Sequence, residues 1–276
     1  MKKQIIGVLD SGIGGLSLVY ELNKRVKNCK IYYLSDEKNL PYGNKSAREL
    51  TRFAFNSVLL LKSYNVKTIF LACNTLSCTV FFTLKNLFPE INFIGVFPPI
   101  ESLQVNNLTP ILLCTNATAK LYKNYNIKVI AFGLLARDVE DNYKNFNAIN
   151  FKHHLFLANK IKDNNSLSKL TTKQYLLTTE YKINKTYSKS NCNLVVVLGC
   201  THYFFIKNQI IDHFRPQYIL SGVEYAVNYF YNNFYKPKSF VKHKQNKVLY
   251  INCDKNKYKS VLFGLKKEIY KKSKKN

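Results

Sequence analysis

Short apolar runs alternate along the chain with longer stretches in which apolar residues recur every three or four positions. Residues 4–9 form the first apolar run; a glycine-rich turn follows, and Leu16 to Leu22 carry helical spacing. Strands are predicted again at 31–34, 69–75, 92–97, 110–114, 127–132, 195–202, 218–220 and 247–251. Between them lie helical patterns. Ser46 and Glu49 have the spacing of a capping box for a helix to about residue 63, and Pro89 closes a helix that runs from 75 to 88. Further helices are predicted from 116, around Glu140, near 153–163 and 172–185, up to His213, up to Phe234, and over 256–272. Apolar runs without polar alternation belong to strands covered on both faces. The prediction is therefore α/β, with parallel sheets flanked by helices.

One feature of the pattern repeats. Ile69-Phe70-Leu71-Ala72-Cys73-Asn74-Thr75 is an apolar run ending in a thiol and two polar side chains, and Val195-Val196-Val197-Leu198-Gly199-Cys200-Thr201-His202 does the same. The halves around them, about 1–97 and 110–209, suggest two similar lobes with a cleft between. Ligand groups of open α/β sheets gather at the carboxyl edge of the strands. Two such edges facing one another would bring Cys73 and Cys200 to one carbon from opposite sides, the geometry that removes a proton from one face and returns one to the other. Either cysteine alone reads as an ordinary buried thiol. Two in matching contexts point to a racemase.

Composition narrows the field. With 276 residues, 46% of them hydrophobic, the chain can fill one large or two medium cores. No run reaches the roughly 20 apolar residues of a membrane span, and Asp10 cuts short the apolar run after the basic start. A cytoplasmic protein is expected. Seven cysteines, odd in number and without paired metal spacing, suggest reduced thiols and neither a disulfide framework nor a zinc site. The net charge of +26 invites a nucleic-acid reading, yet only five of 42 basic residues are arginine. Residues 235–276 alone hold fourteen lysines against Asp254 and Glu268. A solvated lysine surface with weak, non-specific polyanion binding is the expectation.

The turn Gly12-x-Gly14-Gly15 resembles a dinucleotide fingerprint, with Asp36 as the ribose acid, but Ser17 stands where a third glycine is needed. Asp10 beside the turn would repel a pyrophosphate, whereas it could orient a thiol or attract an ammonium group. Cys73 at a helix start is expected to have its pKa lowered toward neutrality. Asn74 and Thr75 can hydrogen-bond a substrate, although helix capping alone would explain either. His202, two residues after Cys200, can hold or relay a proton. His153, His154, His213 and His243 have no comparable setting.

The segments Asp10 to Ser17, Pro41-Tyr42-Gly43, Ala72 to Thr75, Thr115-x-x-Thr118 and Leu198 to Tyr203 stand in the order and at the spacing of glutamate racemase, and the chain resembles that family over essentially its whole length. The resemblance implies two flavodoxin-like lobes, with 1–97 plus 209–276 forming the first and 98–208 the second, and the active site in the cleft between them. It implies a cofactor-independent enzyme, without pyridoxal phosphate or metal, that interconverts L- and D-glutamate for the cell wall. By the same resemblance Cys73 and Cys200 are the two bases, assisted by Asp10 and His202, with Glu140 matching a family acid near one thiol. Ser11, Pro41, Tyr42, Gly43, Asn74, Thr75, Thr115, Thr118 and Thr201 would hold the amino acid. The expected assembly is a homodimer. Two rivals remain within the superfamily, an aspartate racemase and an arylmalonate decarboxylase-like enzyme, though the decarboxylases do not need both thiols. The rival from another class is a diverged, non-catalytic homologue acting as a gyrase-inhibitor-like binding protein.

Overall fold

Ile6, Val8 and Leu9 on β1 (Gln4–Asp10) are wholly out of solvent. Burying each such side chain is worth about 1.5–3 kcal/mol, and a run with no polar alternation obtains that gain only between two layers of helices. The computed structural model, which describes residues 4–103, 108–125, 127–155, 193–235 and 245–272, supplies those layers.

The strands after β1 are β2 (Cys29–Ser35), β3 (Thr68–Leu71), β4 (Asn92–Gly95), β5 (Leu108–Thr115), β6 (Lys128–Phe132), β7 (Asn193–Gly199), β8 (Tyr218–Ser221) and β9 (Lys247–Ile251). They form two parallel sheets, in the orders β4-β3-β1-β2-β9 and β6-β5-β7-β8. Among the described residues lie the helices α1 (Leu16–Arg25), α2 (Ala47–Ser63), α3 (Asn74–Leu87), α4 (Asn116–Leu121), α5 (Leu135–Asp141), α6 (Lys207–Phe214), α7 (Gly222–Asn233) and α8 (Lys255–Lys272). The capping box is formed as expected: the Ser46 hydroxyl accepts from Glu49 N–H at 3.3 Å, and Glu49 accepts from Ser46 N–H at 2.9 Å. Among the described residues no helix is long and apolar enough to cross a membrane.

The run β2-β1-β3-β4 of the first sheet has the same order as β6-β5-β7-β8 of the second. In each, the leading strand lies between its two successors, which makes a topological switch point, and a crevice opens there at the carboxyl ends. Asp10 at the end of β1 therefore corresponds to Thr115 at the end of β5, and Cys73 after β3 to Cys200 after β7. One apolar cluster runs through both lobes, joining Ile6, Val8 and Phe70 to Ile111, Leu113 and Val196.

The structure departs from the expected layout in three places. β8 pairs with β7, so the second sheet continues past the expected return near residue 208. The chain turns back at Gly222, beside the outward crossing: a Cβ there would lie 1.9 Å from the Phe97 carbonyl oxygen. Cys200 is followed by a 3-10 helix, Thr201–Ile206, and α6 begins only afterwards. The helix expected at 172–185, most of that at 153–163, and most of the lysine-rich loop at 236–246 lie outside the described residues.

Candidate active site

The glycine turn after β1 packs tightly against the second lobe. A Cβ on Gly14 would lie 2.4 Å from Thr201 Oγ1 and 2.6 Å from His202 Nδ1, and one on Gly12 would lie 2.2 Å from Glu140 Oε2. Close approach of side chains from the opposite lobe, not a nucleotide, is what these glycines permit. The amides opened by the turn do hold anions, but they are the protein's own. Gly12 N–H donates to Asp10 Oδ1 at 2.9 Å, and Ile13 N–H donates to Glu140 Oε2 at 2.7 Å.

Asp10 is completely buried, and burial raises its carboxyl to about 6 against the favourable charge of His202 and the Gly12 amide. Its second oxygen accepts from Thr201 Oγ1 at 3.2 Å, a bond that crosses between the lobes. Cys73 stands immediately before α3, where the amides of Thr75 and Leu76 favour a thiolate. Burial outweighs them. Together with the charges of Asp10 and Cys200 it holds the Cys73 thiol well above its ordinary value, which corrects the expected lowering by the helix start.

Cys200 has a different neighbour. Its Sγ lies 3.9 Å from His202 Nδ1, and His202 Nε2 lies 2.9 Å from Glu140 Oε2. Burial works to lower the imidazole, but its bonds to Cys200 and Glu140 prevail and raise it well above the usual histidine range. Glu140 in turn is held below the usual carboxylate range despite its burial, by His202, Lys257 and the Ile13 amide. The result is a buried chain of groups, Cys200 to His202 to Glu140 to Lys257, with Lys257 Nζ 2.6 Å from Glu140 Oε1.

The expected substrate-holding residues converge at the same edges. Thr75 Oγ1 lies 2.8 Å from Thr115 Oγ1, and Thr115 donates to Thr118 Oγ1 at 3.2 Å, so hydroxyls from both lobes meet. Thr115 also caps α4, whereas neither Asn74 nor Thr75 caps α3. Asn74 Nδ2 donates instead to the Val96 carbonyl at 3.0 Å. Tyr42 is buried and its hydroxyl donates to Asp36 Oδ2 at 2.7 Å. Gly43 lies directly against the Thr115 side chain. Pro41 follows a cis peptide from Leu40, and Arg137 on α5 donates to the Leu40 carbonyl at 2.7 Å, tying this loop to the second lobe. Ser11 is buried at the start of the glycine turn.

The fourteen expected residues thus lie on the strand ends and on the loops and helices that follow them, and Cys73 and Cys200 are each only 7% exposed. Two cavities of about 780 Å³ lie elsewhere, one lined by Cys78, Phe97, Tyr122 and Tyr229, the other by Asn147, Gln209 and Asp212. Lys257 is the site residue that sequence reasoning missed. Its local signal is that of one lysine among fourteen in a basic C-terminal stretch.

No family model matches the chain. A glutamate racemase of Clostridium botulinum is 32% identical over 220 residues, which cover 78% of this chain and 78% of the relative. The crystal structure of glutamate racemase from Francisella tularensis in complex with D-glutamate superposes with a TM-score of 0.64 at 25% identity, covering 95% of this chain and 93% of that one. The glutamate racemase from Thermus thermophilus in complex with β-chloro-D-alanine has the same fold, with a TM-score of 0.65 at 22% identity over 95% of this chain and 93% of its own.

Proposed function

The chain belongs to the glutamate racemase family, and on that footing we propose that it interconverts L- and D-glutamate by a two-base, cofactor-independent route. Cys73 and Cys200 act on opposite faces of the α-carbon. The observation that carries this is the placement of the two thiols at equivalent strand ends of two lobes built to the same order, with their surroundings interlocked by the Asp10–Thr201 bond.

In the proposed reaction one sulfur, as thiolate, takes the α-proton of glutamate, and the electron pair passes into the carboxylate as an enolate. The other thiol then gives its proton to the opposite face. The enzyme ends with thiol and thiolate exchanged, ready for the reverse direction, so each sulfur is base one way and acid the other. A raised thiol pKa suits the acid. For the base, the α-ammonium of the bound amino acid supplies the opposite charge that favours a thiolate. In this reading the hydroxyls of Thr75, Thr115, Thr118 and Thr201, which now bond one another and Asp10, exchange those bonds for the carboxylate when glutamate binds, and such donors are worth most where negative charge develops. Asp10 serves Cys73, and His202 with Glu140 serves Cys200. The further roles in this proposal are the supply of D-glutamate to peptidoglycan, a cytoplasmic setting, a homodimeric assembly, and weak, salt-sensitive binding of polyanions.

The test is direct. Purified protein incubated with L-glutamate and no added cofactor is followed by circular dichroism until the signal decays to zero. Decay with glutamate and not with aspartate is expected. Racemisation of aspartate alone would reassign the substrate, decarboxylation of a malonate in its place would reassign the reaction, and no turnover of any of these would leave the binding-protein reading.

A further inference from the structure

We propose that Lys257 is a positioning residue for the Cys200 half of the site: its ammonium fixes Glu140 as the ionised partner of His202 and thereby governs the proton on Cys200. This rests on the two-thiol reading above. Lys257 enters from α8, in the first turn of that helix, and its side chain is 16% exposed. Its Nζ lies 2.6 Å from Glu140 Oε1 and 3.0 Å from Glu37 Oε1, with the rings of Tyr143 and Tyr258 alongside at 5.3 and 5.7 Å. A lysine so enclosed loses rotamer freedom and hydration, losses that only well-placed counter-charges offset.

The two oxygens of Glu140 divide the work. Oε2 accepts from His202 Nε2 and Ile13 N–H, and Oε1 accepts from Lys257. The other ionisable groups acting on or near this carboxylate are Asp10 from β1, Tyr33 from β2, Cys253 and Tyr258 around the start of α8, and Glu37 behind Lys257. Of all these groups only His202 and Lys257 carry positive charge. Without Lys257, Oε1 would lose its charged partner in a buried setting, and the carboxyl would take up a proton more readily. A protonated Glu140 cannot hold an imidazolium, and Cys200 would lose the cation beside its sulfur.

The experiment compares the parent with Lys257→Met, Lys257→Gln and Lys257→Arg, reading kcat/KM for glutamate racemisation from pH 3 to 9, a range that takes in a carboxyl held below the usual carboxylate values. Removing a cation raises the carboxyl pKa, so the acid limb should move to higher pH in the Met and Gln variants by about one unit, a tenfold loss at a fixed pH on that limb. The Arg variant should return the limb to its parental position. An acid limb that coincides with the parent's in either uncharged variant overturns the proposal, whatever uniform loss accompanies it. The carboxyl ¹³C titration of Glu140, assigned by its absence in Glu140→Gln, reads the same shift with no substrate present. Its midpoint should rise by about one unit without Lys257, and an unmoved midpoint overturns the proposal. If the parent does not racemise glutamate the catalytic reading fails, while the ¹³C titration still decides whether Lys257 governs Glu140.

Discussion

The two thiol sites occupy equivalent positions in lobes of the same strand order, yet they are not chemically alike. Cys73 precedes a full α-helix whose Thr75 and Leu76 amides act on its sulfur, with Asp10 acting on it through charge. Cys200 precedes a 3-10 helix that turns His202 back toward its sulfur, and a carboxylate and an ammonium stand behind that imidazole. In the proposed reaction equivalent topology brings two groups to one carbon, whereas the local backbone after each strand decides which acid or base attends each group. A reaction between mirror images needs the first kind of symmetry. It does not need the second, because each sulfur need only be able to change protonation state during turnover.

Removing either sulfur should erase the comparison altogether. Cys73→Ala and Cys200→Ala should each lower racemisation in both directions by about 10²–10⁴-fold, the range expected for loss of a positioned acid or base. Parental protein in deuterated water should put deuterium into newly formed product while recovered substrate initially stays protiated. A single base reaching both faces could return the original proton, so early product that retains protium would defeat the two-base scheme. Near-parental rates in either alanine variant would do the same.

Asp10 sharpens the comparison through stability. Its carboxyl rises from the ordinary 3.8 to about 6 in the folded protein, chiefly by burial. A raised folded-state value means that the contribution of Asp10 to stability is fully present below about 3.8 and is lost as pH rises through about 6. The difference of about two units corresponds to about 3 kcal/mol. Asp10→Asn cannot ionise, so its stability relative to the parent should increase between pH 4 and pH 8 by up to about that amount, measured by urea unfolding at the two pH values. A pH-independent difference would show that the buried carboxyl carries no such cost.

The smallest expected effect separates the two attendants. The equilibrium constant of a racemisation is one, so kcat/KM must stay equal in the two directions for every variant. Asp10→Asn and His202→Asn should instead split kcat between the directions, by about tenfold and in opposite senses, with KM compensating, as expected for about one pK unit at one thiol. Progress curves started from L- and from D-glutamate give both constants. Splits of the same sense in both variants would mean that the two residues attend the same sulfur.

The parallel sheets and the two cysteine-bearing strand ends could be read from the chain, because hydrophobic periodicity and turn chemistry act over a few residues. The capping box at Ser46 and the amide-rich turn at Gly12 are likewise local. Other features depended on groups far apart in sequence. His202 finds Glu140 across 62 residues, and Glu140 finds Lys257 across 117, where nothing distinguishes that lysine from its neighbours in the chain. The reversal at Cys73 has the same origin. A helix start lowers a thiol's pKa through three or four nearby amides, but desolvation is set by everything that packs around the sulfur, from both lobes. Sequence alone therefore determined where the reactive groups would stand along the chain. The tertiary structure decided their charge and partners, because burial and ion pairing sum over the whole fold and not over the neighbouring turn.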